Sequence, residues 1–323
     1  MMPKLRPQYV PILATMAVFL LLFSAVSVRY GGFFSWFQFS SLLADNASLG
    51  LAATGMTFVI LSGGIDLSVG AVIALASMLM AMCLTQWELS PQVAIPVVMA
   101  AGTGFGAGMG ALIRWFRLPP FLVTLAGMFL ARGIALVLTN DKRISITDHP
   151  IYDWFFDTEI GWSDYQLPLP AIVFLCAISL AIVVARSTRF GRTVYAVGGN
   201  ERSALLMGLP VGRTKVKVYA LSGLCAATGG VVHALGTGAG DASIAYMLEL
   251  DAIAAVVIGG TLLSGGVGYV LGTLFGVLIL GVITVIPSYQ GNLNSWWTKI
   301  AIGLLLLVFI VLQRFLQRHG SKQ

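Results

Sequence analysis

Few residues in this chain can do chemistry, and most of them stand alone. Asp66 lies inside an apolar, glycine-rich stretch, and Arg132 sits in the middle of another apolar run. Glu249 and Asp251 open a third. The histidines (His149, His233, His319) and the cysteines (Cys83, Cys176, Cys225) are widely scattered. Neither set has metal-ligand or disulfide-framework spacing, so no metal and no cofactor is expected. A phosphate-binding G-x-x-x-x-G-K-[ST] loop needs a glycine before its lysine. None of Lys4, Lys142, Lys215, Lys217, Lys299 and Lys322 follows one, so ATP cannot bind in that way. H-E-x-x-H, C-x-x-C and G-x-S-x-G are also absent. The chain has no catalytic cluster, and its three cysteines read as small buried hydrophobes.

The elements that must position these residues follow from composition. Of 323 residues, 58% are hydrophobic and 10% charged, against about 25% charged in a soluble domain. The mean hydropathy is +0.90. Such a chain cannot coat a water-facing surface. That excludes a soluble enzyme, a nucleic-acid-binding domain and a disordered chain, and leaves a multi-span protein in contact with membrane lipid. Glycine accounts for 37 residues, more than the usual ~7%, which suits helices whose backbones touch. A bilayer core of about 30 Å takes about 20 apolar residues as helix. Val10 to Val28 is the first such run, too long for a cleaved signal peptide. Others cover about 47–62, 69–85, 93–113, 121–139, 169–185, 218–235, 252–264, 267–287 and 296–312. The expectation is an all-α polytopic protein, one transmembrane domain over 1–323 with about ten segments. The stretch 47–85 also reads as one long broken element.

Charge sets the orientation. The loop 186–217 holds Arg186, Arg189, Arg192, Arg202, Arg213, Lys215 and Lys217 against Glu201 alone. The loop 140–168 holds Lys142 and Arg143 against Asp141, Asp148, Asp153, Asp157, Glu159 and Asp164. The first is expected in the cytoplasm and the second outside. Lys4 and Arg6, the turn Arg114 to Arg117, and the tail with Arg314, Arg318 and Lys322 also read as cytoplasmic. An even span count with both termini inside satisfies all of them. The external loop carries Trp154, Phe155, Phe156, Trp162 and Tyr165, which suit a membrane-interface belt or a docking surface.

Two segments share a pattern. At an offset of 196, Leu61-Ser-Gly-Gly-Ile-Asp-Leu-Ser-Val-Gly70 aligns with Val257-Ile-Gly-Gly-Thr-Leu-Leu-Ser-Gly-Gly266. Gly63 then meets Gly259, Gly64 meets Gly260, Ser68 meets Ser264 and Gly70 meets Gly266. Glycine-broken spans in matching places of two halves mark the transport route of repeat-built carriers. The alternative is coincidence in a glycine-rich chain. Asp66 fits an N-terminal cap on the following helix, or a partner for Arg132, better than a direct contact to solute.

Longer stretches carry a resemblance. Gly55-Met-Thr-Phe-Val-Ile-Leu-Ser-Gly-Gly-Ile-Asp-Leu-Ser-Val-Gly70, then Thr188-Arg-Phe-Gly-Arg-Thr-Val-Tyr-Ala-Val-Gly-Gly-Asn-Glu201, then Glu249-Leu-Asp-Ala-Ile-Ala-Ala-Val-Val-Ile-Gly-Gly-Thr261 resemble, in order, the permeases of ribose-type monosaccharide ABC importers of the bacterial inner membrane. The likeness covers roughly 40–315. Asp45-Asn46, His149-Pro-Ile-Tyr-Asp153, Thr261-Leu-Leu-Ser-Gly-Gly-Val-Gly268 and Ser295-Trp-Trp-Thr-Lys-Ile-Ala-Ile-Gly303 are similar to the galactofuranose group within it. The resemblance implies a pore subunit, not an enzyme. Its implied partners are a second permease subunit, identical or different, a cytoplasmic ABC ATPase and a periplasmic sugar-binding protein.

The resemblance also maps an ATPase-coupling segment onto Asn200, Glu201, Ala204 and Gly208. Arg202 and Ser203 stand where the family often has alanines. A short helix from about Arg202 to Met207, stopped by Gly208 and Pro210, is expected there; the plain alternative is a solvated basic loop. For a sugar, the expected pathway residues are Gly63, Gly64, Asp66, Ser68, Gly70, Gly259, Gly260, Thr261, Ser264 and Gly266. Freed backbone groups and the hydroxyls of Ser68, Thr261 and Ser264 supply weak, exchangeable hydrogen bonds. A self-sufficient secondary carrier or channel for a small polar solute would instead need several intramembrane ionisable groups.

Overall fold

A computed structural model describes residues 10–140, 142–290 and 296–320. Lys4, Arg6, Asp141, Ser295 and Lys322, used in the readings above, lie outside the described residues. The described residues are mostly helical. In order it forms α1 (Val10–Arg29), α2 (Trp36–Asp45), α3 (Ala47–Leu61), α4 (Val69–Thr85), α5 (Pro91–Trp115), α6 (Pro120–Thr139), β1 (Ile144–Ser145), α7 (Pro150–Asp157), β2 (Glu159–Trp162) and β3 (Tyr165–Pro168). There follow α8 (Leu169–Ser187), α9 (Arg189–Gly199), α10 (Glu201–Leu206), α11 (Val211–Thr237), β4 (Ala239–Gly240), α12 (Leu248–Ile258), α13 (Val270–Gln290) and α14 (Trp296–Gly320). Among the described residues the strands make two small antiparallel pairs, β2 with β3 and β1 with β4.

Every apolar run contributes a helix, but the count of about ten full spans is not reproduced by length. Among the described residues, 6 helices are long and apolar enough to cross a bilayer, and α2 with α3, bent by 58°, makes a seventh. The apolar helices Val69–Thr85 and Trp296–Val311 are shorter. The run 252–264 is helical only to Ile258, because a glycine turn ends α12 there. The span read as starting at 47 begins with α2, and the chain bends at Asn46, whose side-chain amide donates to the Leu42 carbonyl (2.9 Å).

α11 is the centre of the bundle, packed on α3, α4 and α5. A glycine stripe on α5 lets two backbones touch. A Cβ on Gly110 would lie 2.8 Å from the Val216 Cα, and one on Gly106 would overlap the Tyr219 carbonyl oxygen. Gly102 meets Gly223 and Ala227 in the same way. This is the small-residue packing expected where lipid offers no hydrophobic drive between helices.

α8 separates the acidic loop 140–168 from the basic loop 186–217, so the two lie at opposite ends of the bundle. In the acidic loop Phe155 is buried, and Trp154, Phe156 and Trp162 are exposed. Tyr165 sets its ring edge-on to Trp36, whose indole N–H donates to the Gln166 carbonyl (2.8 Å). Which end faces the cytoplasm is tested by single cysteines. Asp157 and Ser203 are both exposed. A membrane-impermeant maleimide is expected to label Asp157→Cys in intact cells, and Ser203→Cys only after permeabilisation. Labelling of Ser203→Cys in sealed cells overturns the charge-based orientation.

Candidate functional site

The two glycine segments end α3 and α12 by the same device. Gly63 takes φ +82° and Gly260 φ +92°. Gly63 N–H donates to the Ile60 carbonyl and Gly64 N–H to that of Val59; Gly260 N–H donates to Val257 and Thr261 N–H to Val256. Each pair is a Schellman cap, which needs a left-handed residue and so favours glycine. The geometry equates Gly63 with Gly260 and Gly64 with Thr261. The repeat is therefore displaced by one from the offset of 196. Matching glycine letters aligned Gly63 to Gly259, whereas backbone conformation decides the register.

The two turns meet. Gly266 N–H donates to the Leu61 carbonyl (2.9 Å), and a Cβ on Gly265 would lie 2.9 Å from the Gly63 Cα. A third backbone closes the junction. Gly198, near the end of α9, packs so tightly that a Cβ there would overlap the Leu61 carbonyl oxygen and lie 2.6 Å from the Gly266 nitrogen. Sequence reading missed Gly198, although it sits within the Gly198-Gly199 pair of the resembling stretch. Of the other turn residues, Gly64 packs against the Tyr219 hydroxyl and Gly259 against Gly272. Thr261 is fully buried with its hydroxyl unpartnered, and Ser264 is exposed.

Asp66 stands in the break between α3 and α4 and is buried. One carboxylate oxygen accepts from the Ser68 backbone N–H (2.9 Å) and the Ser68 hydroxyl (2.6 Å). The other accepts from the Ser222 hydroxyl (2.7 Å), near the middle of α11. The break thus carries the chain into the bundle, and α4 starts at mid-depth. The carboxylate ties down the residue just before α4, close to the expected cap. It also occupies the Ser68 hydroxyl, which the sequence reading left free for solute. The alternative Asp66–Arg132 pair does not form. Arg132 donates to the carbonyls of Ala242 and Ile244, both at 2.6 Å, and lies 4.7 Å from the centre of the Tyr246 ring. Those carbonyls are free because the segment before α12 is not helical, a feature that periodicity did not reveal. Gly70, in the first turn of α4, packs against the Ala245 carbonyl and the Glu249 carboxylate.

The segment 200–208 folds as expected. The Asn200 side chain caps α10 by accepting from Ser203 N–H (2.8 Å). Glu201 pairs with Lys215 at 2.7 Å. Ala204 is buried with Val197 and Val211. Gly208 takes φ +76° in a third Schellman cap, with Gly208 N–H on the Leu205 carbonyl and Leu209 N–H on that of Ala204. Leu205, Leu206 and Met207 are exposed on this short helix.

The profile of a family described as "Branched-chain amino acid transport system / permease component" matches residues 38–310. The chain belongs to this permease family. It is similar to the inner membrane ABC transporter permease protein YjfF of Escherichia coli, 48% identical over 94% of this chain and 92% of that one. The fructose import permease protein FruG of Bifidobacterium longum is 37% identical over 98% and 94% of the two chains. The ribose import permease protein RbsC of Bacillus subtilis is 37% identical over 90% and 88%. No solved structure matches the chain. These likenesses and the apolar helices place the permease in the inner membrane.

Within this permease, the helix cap at Gly208 yields a direct test. Nothing lies within 4 Å of a Cβ placed there, so the strain of substitution is conformational and not steric. Gly208→Val forces a β-branched residue into the left-handed region, at a cost of roughly 1–3 kcal/mol. The chain should insert normally while uptake and its coupled ATPase activity fall severalfold. Normal uptake by Gly208→Val in membrane vesicles overturns the expectation that α10 is a coupling segment.

Proposed function

We propose that the chain is the translocation subunit of an ATP-driven monosaccharide importer, with galactofuranose as the specific cargo. The carrying observation is the 35–48% identity to ABC and sugar-import permeases, which extends over nearly the whole of both chains. The galactofuranose assignment rests on the narrower resemblance around Asp45-Asn46, His149 to Asp153 and Thr261 to Gly268. ATP hydrolysis belongs to a separate cytoplasmic subunit, and a periplasmic binding protein hands over the sugar. A second permease chain completes the pore.

The capped helix α10 supports this reading. It presents Leu205, Leu206 and Met207 outward beside a basic loop and is anchored to α11 by Glu201–Lys215. A rigid apolar knob of this kind suits a socket on an ATPase. Its backbone continues through Asn200 into the Gly198 junction, so a push on α10 reaches both broken turns directly. The glycine turns and the hydroxyl of Ser264 belong to the proposed route, where weak hydrogen bonds let a captured sugar go.

The test is uptake by vesicles carrying this chain with its partner permease, ATPase and binding protein. Labelled galactofuranose should accumulate only with ATP and binding protein, and unlabelled ribose or fructose should compete poorly. Uptake driven by membrane potential without ATP refutes the importer reading. ATP-driven uptake of another pentose or hexose in preference refutes only the cargo.

A further inference from the structure

The segment Ala239–Met247, between α11 and α12, is not helical, and the sequence reading assigned it nothing. It runs back along α4. Gly240 packs on Ser77 and Met78, in the second half of that helix, and Ala245 on Gly70, in its first turn. Arg132, which grips the segment, is about two turns from the nearer end of α6. Ala239–Gly240 pair with β1 of the acidic loop, and from Asp241 to Met247 the backbone runs deeper into the bundle without helical hydrogen bonds. Ala245 and Met247 both take positive φ, 56° and 62°.

Its exposed side chains are Ser243, Tyr246 and Met247. Ser243 is exposed, with its N–H bound to the Asp241 carboxylate (2.7 Å). Tyr246 is 70% exposed. Glu249, which follows, keeps one buried carboxylate oxygen without a hydrogen-bond partner. Asp251, two residues further along α12, pairs with Lys299 of α14 at 2.7 Å. Irregular backbone and ionised groups at this depth do not face lipid; they face protein or a water-filled cavity.

We propose that Asp241–Met247 forms a water-facing lining of the solute route between the loop end of the bundle and mid-membrane, and that Arg132 is the positioning residue that holds it there. The inference rests on the transport reading and adds a surface to it. A hydroxyl-rich solute meets the Ser243 hydroxyl, the Asp241 carboxylate and the free face of the Tyr246 ring. Arg132 occupies the other face of that ring and draws the Ala242 and Ile244 carbonyls inward. It thereby satisfies the backbone of the segment while leaving the side chains free.

Ser243→Cys and Tyr246→Cys, each in the assembled transporter in membranes, are exposed to a charged methanethiosulfonate. The parent chain, whose exposed Cys176 lies on α8, sets the background. Both introduced cysteines should react well above it. Arg132→Gln, which loses the charge and the contact with the Tyr246 ring, should lower uptake about tenfold, on the scale of a charge-assisted hydrogen bond, and should change the labelling rate at both positions. Arg132→Lys, which can still donate to both carbonyls, should recover part of each. Labelling at background in both cysteine variants overturns the lining. Unchanged uptake and labelling in Arg132→Gln overturn the positioning role. If Arg132→Gln fails to assemble, the two cysteines in the Arg132 chain still decide the lining. Labelling reads water access and not solute identity, so it stands even where uptake assays refute the sugar.

Discussion

Gly198→Ala should abolish uptake, while Gly199→Ala, one residue on, should preserve it. The two glycines differ in what a methyl group would meet. At Gly198 the new Cβ overlaps the Leu61 carbonyl oxygen and crowds the Gly266 nitrogen, whereas at Gly199 nothing lies within 4 Å. The obstruction at Gly198 is backbone, so no rotamer change relieves it. Overpacking of this kind costs about 1–3 kcal/mol or more, and it falls where the end of α3, the lead-in to α13 and the end of α9 converge. It also stretches the Gly266–Leu61 hydrogen bond, the one direct backbone link described between the two turns. Uptake and ATPase stimulation in vesicles, with surface labelling as a check on insertion, separate the outcomes. Equal behaviour of the two variants removes the junction as the point where α9 and α10 engage the broken helices.

Asp66→Ala should be among the most destabilising single changes in the chain, and Asp66→Asn should be mild. Alanine orphans the Ser68 backbone N–H and strips the acceptor from two buried hydroxyls. Each unsatisfied buried donor costs about 1–3 kcal/mol, although the hydroxyls can rotate toward other acceptors. Asparagine keeps one oxygen for both Ser68 donors and turns an amide toward Ser222, whose hydroxyl can accept instead. Thermal melting of the detergent-solubilised protein should show a large loss for alanine and a small one for asparagine. An Asp66→Ala chain that melts like the parent yet transports nothing would make Asp66 a solute contact and refute the structural role.

Much of this was legible in the residues. Apolar runs found the helices because a bilayer imposes length and composition on each segment. Gly208 and Pro210 announced the end of α10, because helix stops are local chemistry, whereas Asn200 entered only through the resemblance and its capping role came from the fold. The meeting of the two glycine turns was legible as a repeat. Its register was not, since glycine identity does not say which glycine takes the left-handed conformation. α2 escaped notice because Trp36–Asp45 mixes serine, glutamine and aspartate with its apolar residues. The partners of Arg132 were invisible for a different reason: they are carbonyls, present at every position, and only the fold shows which ones lack helical bonds. Gly198 was missed because its constraint comes from backbones far away in the chain.

The glycine stripe of α5 has a mechanical consequence. Helices that touch through side chains can shear, because rotamers repack to a new register. Where Gly102, Gly106 and Gly110 lay α5 directly on the backbone of α11, there is no deformable layer between them. The pair behaves as a stator. During transport α5 and α11 are expected to move together, which leaves the non-helical breaks after α3 and α12 to take up the bending.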